Sequence, residues 1–251
     1  MITIKSKREL EGMRESGKIT AEVFAEVAGM IKPGVTTVEL DRKAGESIRR
    51  RGAVSAFLGY RGFPAVICIS IDEEVVHGIA GPRRLKEGDI VSLDIGVKHR
   101  GYYGDMAATF AVGKVNAEKR RLIGVTAGAL AAGIEKARAG NRLYDISAAV
   151  QEKAEGAGYS VVRDFVGHGI GSELHEDPQI PNYGKSGTGP LLRAGMVLAI
   201  EPMVALGSFE VEVLSNGWTV VTRDRQPAAH FEHTVAVTEN GPEIFTWLKT
   251  N

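Results

Sequence analysis

The chain has 251 residues, 43% hydrophobic and 25% charged, enough to bury a large core and ordinary for a globular protein. Its 31 basic and 31 acidic side chains cancel, so no general pull toward nucleic acid or an anionic membrane is expected. One cysteine, Cys68, excludes an internal disulfide, and no apolar run approaches the length of a membrane span. Residues 1–9 carry no secretory signal core, so a cytoplasmic location is expected.

Ser6-Lys-Arg-Glu9 is a capping box, and behind it Leu10, Met13, Val23, Phe24, Val27, Met30 and Ile31 recur at helical spacing until Pro33-Gly34. Thr36-Thr-Val-Glu39 is a second capping box, opening a helix that ends near Arg51-Gly52. A glycine- and aromatic-bearing loop covers 57–63, and 65–71 reads as a buried strand. Residues 85–112 read as a β-hairpin, with two β-prone apolar runs around a Lys-His-Arg-Gly turn near His99 and Arg100. Each run carries one aspartate. Folding about the turn sets Asp94 roughly opposite Asp105 and leaves His99 at an exposed tip.

Residues 116–138 are alanine-rich and read as helix. Gly140 breaks it, and 143–155 form another helix closed by Gly156 and Gly158. His168 sits among three glycines in 166–171, which reads as a loop, and His175 lies in the polar stretch 172–190. Residues 191–204 read as turn plus strand with Glu201, and 210–214 and 218–222 as short strands around Asn216-Gly217. The strand 231–238 carries Glu232; His230 shares its face and His233 points the other way.

The sequence repeats. Residues 85–97 align without a gap on 192–204, placing Gly88 on Gly195 and Asp94 on Glu201, while Gly34 and Gly52 fall on Gly140 and Gly158. Each part, about 5–112 and about 114–246, reads helix, helix, strand and two carboxylate strands. The fold class is therefore α+β: two pseudo-symmetric αβ halves forming a central antiparallel sheet with helices on its outer face. The twin pairs Asp94/Asp105 and Glu201/Glu232 would meet at its centre.

Four carboxylates crowded in a dry place repel, and either protons or cations must relieve them. Asp94, Asp105, Glu201, Glu232 and His168 carry too much negative charge for one divalent ion and suit two. Bridging carboxylates hold such ions about 3.5–4 Å apart, and a shared water becomes acidic at neutral pH. Oxygen-rich ligands with one imidazole favour Mn, Fe or Co. His77 and His175, beside flexible sequence, could serve a substrate amine or carbonyl or simply lie at the surface. Cys68 reads as a small buried hydrophobe or pocket wall.

Leu-Asp94-Ile-Gly with Gly-Asp105-Met, Gly-His168-Gly-Ile-Gly, Ile-Glu201-Pro-Met and Phe-Glu232-His-Thr resemble the type I methionine aminopeptidases. The resemblance runs from Met13 to Ile244 and implies the pita-bread fold, a single catalytic domain over 1–251 and two divalent metal ions per chain. It implies that Asp94 chelates one metal, that Asp105 and Glu232 bridge both, and that His168 and Glu201 complete the second. It further implies removal of the N-terminal methionine from nascent polypeptides with a small second residue, by attack of a metal-bridging hydroxide. Glu201 would accept the proton of the water, His77 and His175 would contact substrate, and the free amine would bind a metal. The methionine pocket would comprise Phe57, Tyr60, Phe63, Cys68, Leu174 and Trp218.

Val76, Ala80, Leu174 and Phe57 depart from residues common in that family; they bear on pocket shape and leave the metal ligands intact. A proline-specific peptidase of the same fold usually carries a large N-terminal domain, for which a first helix starting near Ser6 leaves no room. A non-catalytic relative that binds ribosomes or nucleic acid would have lost ligands. The expected protein is a monomer without specific nucleic-acid or membrane binding, with transient ribosome contact open to it.

Overall fold

The computed structural model describes residues 1–247. Both capping boxes form: Ser6 and Glu9 open α1 (Lys7–Ala28), and Thr36 and Glu39 open α2 (Thr37–Arg50). Each side-chain oxygen satisfies a backbone N–H that the first helical turn leaves free. Helix α1 stops at Gly29, one turn before Pro33-Gly34; Met30 and Ile31 continue the apolar pattern from a turn and still pack on the core. Then follow β1 (Val54–Ser55), a short 3-10 turn (Tyr60–Gly62), β2 (Cys68–Ile71), β3 (Glu74–Val76), and the long hairpin β4 (Ile90–His99) and β5 (Tyr102–Ala111).

The strand expected over 65–71 begins only at Cys68. The Asp41 carboxylate accepts from the amides of Val66 (2.8 Å) and Ile67 (3.1 Å), and Ser55 Oγ donates to the Val66 carbonyl (2.7 Å). Side chains have taken the groups a ladder would need. His99 is not exposed at the hairpin tip: its side chain is 15% accessible, with Nδ1 3.3 Å from the Gly52 carbonyl.

The second part repeats the plan with α3 (Ala117–Lys136), capped by Asn116, and α4 (Leu143–Glu155). Its strands are β6 (Ser160–Val161), β7 (Gly167–Gly169), β8 (Glu176–Ile180), β9 (Val197–Ile200), β10 (Met203–Ala205), β11 (Val211–Val213), β12 (Val220–Thr222), β13 (Ala228–His230), β14 (Glu232–Thr238) and β15 (Gly241–Ile244). The repeat extends to backbone detail. Gly34 and Gly140 have φ of +92° and +93°, Gly88 and Gly195 +94° and +93°, all in the left-handed region that favours glycine. Gly34 N–H donates to the Leu85 carbonyl as Gly140 N–H does to Leu192.

The central sheet runs β1-β4-β5-β14-β9-β7-β8, with β2 added to β4 and β15 to β14, every pair antiparallel. Smaller sheets β13-β10-β6 and β11-β12-β3 flank it. Helices α1 and α2 bury Val23, Phe24, Leu40 and Ile48 against Ile69, Leu93 and Ile95; α3 and α4 bury Leu130 and Ile146 against Leu198 and Val235.

The halves join between β5 and β14, where Ala107 faces Glu232 and Met106 faces His233. Beyond these two pairs a hydroxyl continues the seam: Thr234 Oγ1 accepts from the Asp105 N–H and donates to its carbonyl, both at 2.9 Å. Thr109 Oγ1 does the same for His230, at 2.9 and 3.0 Å. Asp105 stands opposite Gly96, and His230 opposite Met203, which lies 107 residues after Gly96. The counterpart of Asp105 in the repeat is thus His230, not Glu232 as expected; Glu232 corresponds to Ala107.

Helix α1 lies so close to β5 and to the residue after β15 that a Cβ on Gly104 would sit 2.9 Å from Gly17 Cα, and one on Gly17 would sit 2.7 Å from Phe245 Cβ. Gly17→Ala should therefore lower stability by about 1–3 kcal/mol. Gly124→Ala, on an open face of α3 with no atom within 4 Å, should raise it by up to about 1 kcal/mol. Urea unfolding reads both, and shifts of the same sign would refute the close approach.

Candidate metal centre and substrate pocket

Residues directly opposite across strands share a face of the sheet, and so do residues two apart along a strand. On the inner face, one row reads Cys68, Asp94, Ala107, Glu232, with each neighbour in register. The adjacent row reads Gly96 and Asp105, continues through the Thr234 hydroxyl, and ends on Ala199 and His168. Glu201 follows the last residue of β9, whose partner is His233, and so comes beside Glu232. All five expected metal-binding residues therefore fall on two neighbouring rows. Asp94 and Asp105 are diagonal, not opposite. The positions between the acids are Gly96, Ala107 and Ala199, which leave the floor open.

His168 lies on strand β7, not in a loop. Its glycines serve close approach between strands: a Cβ at Gly167 would sit 2.4 Å from the Ala199 carbonyl oxygen, and one at Gly169 2.1 Å from that of Asp177. Density of glycine around a histidine suggested a loop, yet only glycine lets three backbones pack here.

Asp105, His168 and Glu232 are buried, and each offers a ligand atom within 4.8 Å of the others. Burial pushes the carboxyls of Asp105, Glu201 and Glu232 well above the usual carboxylate range, and each is pushed further by its acidic neighbours. Burial raises Asp94 to about 7, against a smaller opposing effect of hydrogen bonds from Asp105 and Cys68. Asp94 Oδ1 and Glu232 Oε1 are shut from solvent with no hydrogen-bond partner. Burial lowers His168 to about 3, so its ring is neutral. Its Nδ1 lies 2.9 Å from the Gly169 carbonyl, which can only accept; the ring hydrogen is therefore on Nδ1 and Nε2 is bare. That bare nitrogen is 3.6 Å from Glu201 Oε1, two atoms that only a proton or a cation can hold together. Orphaned oxygens, a bare imidazole nitrogen and crowded acids form a donor set that fits divalent cations.

One cavity is lined by these five residues and by Phe57, Tyr60, Phe63, Cys68, Leu174, Trp218, His77 and His175. Every expected site residue is present there. Phe57 lies over Gly96, where a Cβ would come within 2.6 Å of its ring. Phe63 and Trp218 meet edge to face at 5.2 Å. Burial holds the Cys68 thiol well above its ordinary range, and Asp94 beside it adds to the shift; it remains a protonated wall residue.

His77 has φ +60°, a strained backbone held by neighbouring contacts: its carbonyl accepts from Thr219 Oγ1 (3.4 Å), and its ring meets the edges of Phe165 and Trp218. Burial lowers it to about 4. His175 is exposed at the mouth, its Nδ1 2.8 Å from the Tyr60 hydroxyl and its ring 4.3 Å from that of His168. A nearly buried ion pair of Lys5 with Glu176 anchors the next residue to the N-terminal segment. Arg61, absent from the sequence reading, also lines the cavity and lies 5.4 Å over the Tyr60 ring. Nothing in the run Gly-Tyr-Arg-Gly distinguishes it from a surface arginine.

The sequence profile of metallopeptidase family M24 matches residues 11–239. The chain belongs to metallopeptidase family M24. Among relatives, a methionine aminopeptidase of Clostridium acetobutylicum is 55% identical over 247 residues, covering 98% of this chain and 99% of the relative. The crystal structure of methionine aminopeptidase from Rickettsia prowazekii superimposes with a TM-score of 0.97 at 44% identity, covering 98% of this chain and all of that one. A prolidase from Pyrococcus furiosus gives 0.81 at 25% identity, matched over 66% of its own length. The architecture is the pita-bread fold, shared across this M24 group.

The electrostatics of this M24 site give metal binding a definite pH dependence. Burial raises Asp94 to about 7 and holds its three neighbours above the usual carboxylate range, so the metal-free cluster favours protons as pH falls, whereas the His168 ring is neutral. An ion must displace those protons, so affinity falls as pH falls. Calorimetric titration with Mn²⁺ should show at least about tenfold weaker binding at pH 6 than at pH 8, with proton release that depends on the buffer. Affinity independent of pH would contradict the arrangement.

Proposed function

We propose that the chain is a methionyl aminopeptidase that removes the N-terminal methionine from nascent polypeptides and peptides with a small second residue. The observation that carries this reading is one cavity holding both the buried acid–imidazole cluster and an apolar recess edged by Phe57, Phe63, Leu174 and Trp218. Apolar, aromatic-edged walls suit a thioether side chain. The family and its methionine aminopeptidase relatives support the same activity.

In this reading Asp94, Asp105, Glu232, His168 and Glu201 would hold two divalent ions, with Asp94 serving one, His168 and Glu201 the other, and Asp105 and Glu232 placed to serve either; Co, Mn or Fe suit the oxygen-rich set. Bound there, the ions would supply Lewis acidity and lower the pKa of water at the scissile carbonyl. Glu201 would take the proton from the attacking water, burial and Asp94 having raised the basicity of its carboxylate. With the Tyr60 hydroxyl as the donor to His175 Nδ1, the ring hydrogen would sit on Nε2, a donor for the negative charge that develops on the carbonyl oxygen. His77, neutral and fixed between Phe165 and Trp218, contacts the substrate backbone. Tyr60 and Cys68 complete the methionine pocket. The protein works in the cytoplasm as a monomer, with transient ribosome contact bringing it to emerging chains. None of the described helices is long and apolar enough to cross a membrane.

The test is hydrolysis of Met-Ala-Ser and Ala-Pro after Mn²⁺ or Co²⁺ is added to the metal-free protein. Methionine should be released from the first peptide alone; cleavage of Ala-Pro would favour a proline-specific enzyme, and inactivity toward both would end the proposal. Glu201→Gln should cut kcat/KM by roughly 10²–10⁴-fold. Tyr60→Phe keeps the apolar wall and removes the bond to His175. It should lower kcat by about two- to tenfold with little change in KM, and a pure KM effect would remove the assigned role.

A further inference from the structure

His230 is 1% exposed, and its Nε2 is shut from solvent without a hydrogen-bond partner. An imidazole nitrogen buried alone is costly unless something meets it. Its nearest charged atom is Glu201 Oε2, at 3.6 Å. The other oxygen of the same carboxylate, Oε1, is 3.6 Å from His168 Nε2. Glu201 thus lies between two imidazoles, one at each oxygen.

The backbone of His230 is fixed on both sides, by the Thr109 hydroxyl and by its pairing with Met203. Its place in the repeat is that of Asp105, and Glu201 takes the place of Asp94. The half that presents a diagonal Asp–Asp pair is therefore matched by a half that presents a diagonal His–Glu pair.

The two rings meet Glu201 with different chemistry. His168 has its hydrogen committed to the Gly169 carbonyl, so Oε1 of the ionised carboxylate faces a bare nitrogen, an arrangement a cation between them relieves. Oε2 of an ionised carboxylate only accepts, and His230 Nε2 is the atom beside it that can carry a hydrogen. We propose that His230 is a positioning residue whose Nε2–H binds Glu201 Oε2, turning the carboxylate so that Oε1 is presented beside His168 Nε2. A small rotation of the Glu201 side chain closes the 3.6 Å separation to a hydrogen bond. The inference rests on the reading of Glu201 as a metal ligand. Partners of this kind orient a ligand carboxylate, and their loss typically weakens metal binding 10–100-fold.

The experiment is Mn²⁺ titration of the metal-free protein by calorimetry, with His230→Leu, His230→Ala, His230→Gln and Glu201→Gln beside the parent. Leu removes the donor and keeps the volume; Ala leaves room for water and replaces Leu if that variant does not fold; Gln restores an N–H donor. Circular dichroism of the metal-free proteins reports the fold. Affinity should fall about 10–100-fold in His230→Leu and return to within about threefold of the parent in His230→Gln. Parental affinity in a folded His230→Leu, or equal weakness of the Leu and Gln variants, would overturn the donor role while leaving Glu201 a ligand. Parental affinity in Glu201→Gln would overturn the reading of Glu201 itself and this inference with it.

Discussion

The structure is organised by negative charge that the fold largely withdraws from water. Asp94, Asp105, Glu201 and Glu232 line one cavity whose single fixed cation among the described residues is the exposed Arg61. In a low-dielectric interior such crowding is tolerated only with protons or metal ions in the group. The surrounding architecture serves that requirement: small residues keep the floor open, β-strands fix each acid, and His168 is held by Gly169 with one nitrogen bare. Ions bound there would complete the fold's charge balance.

The repeat explains how so dense a group arose without distorting the chain. Two copies of one helix-helix-sheet plan meet through antiparallel strands, so each contributes acids to a common row. The copies agree closely in backbone and differ in chemistry. Asp105 faces His230 across the symmetry, and Ala107 faces Glu232. That divergence makes the site directional. One side offers the diagonal carboxylates, the other a carboxylate between imidazoles, and a peptide bond laid across it meets unlike groups at its two ends.

Much of this could be read from the residues. Both capping boxes, the boundaries of α4, the long hairpin and the cavity residues other than Arg61 follow from local pattern, repeat spacing and family resemblance. What escaped depends on partners distant in sequence. The carboxylate of Asp41 shortens β2 from 25 residues away, and Ala199 and Asp177 make strand contacts of the glycines around His168. The pairing of Asp105 with His230 in the repeat is set by register, which two residues of slip would change while leaving the same side chains inward. Arg61 has no periodicity or motif to mark it.

The Thr234 hydroxyl, bound to both backbone groups of Asp105, joins residues 129 apart in sequence. Contacts of that separation close late, because ordering the intervening chain opposes them until most other structure is in place. Helix pairs and the β4–β5 hairpin can form within either half, whereas the row from Asp94 to Glu201 exists only after docking. A chain still folding therefore has no hydrolytic centre to expose. The centre is complete only when the two halves have docked, so its chemistry is tied to closure of the whole architecture.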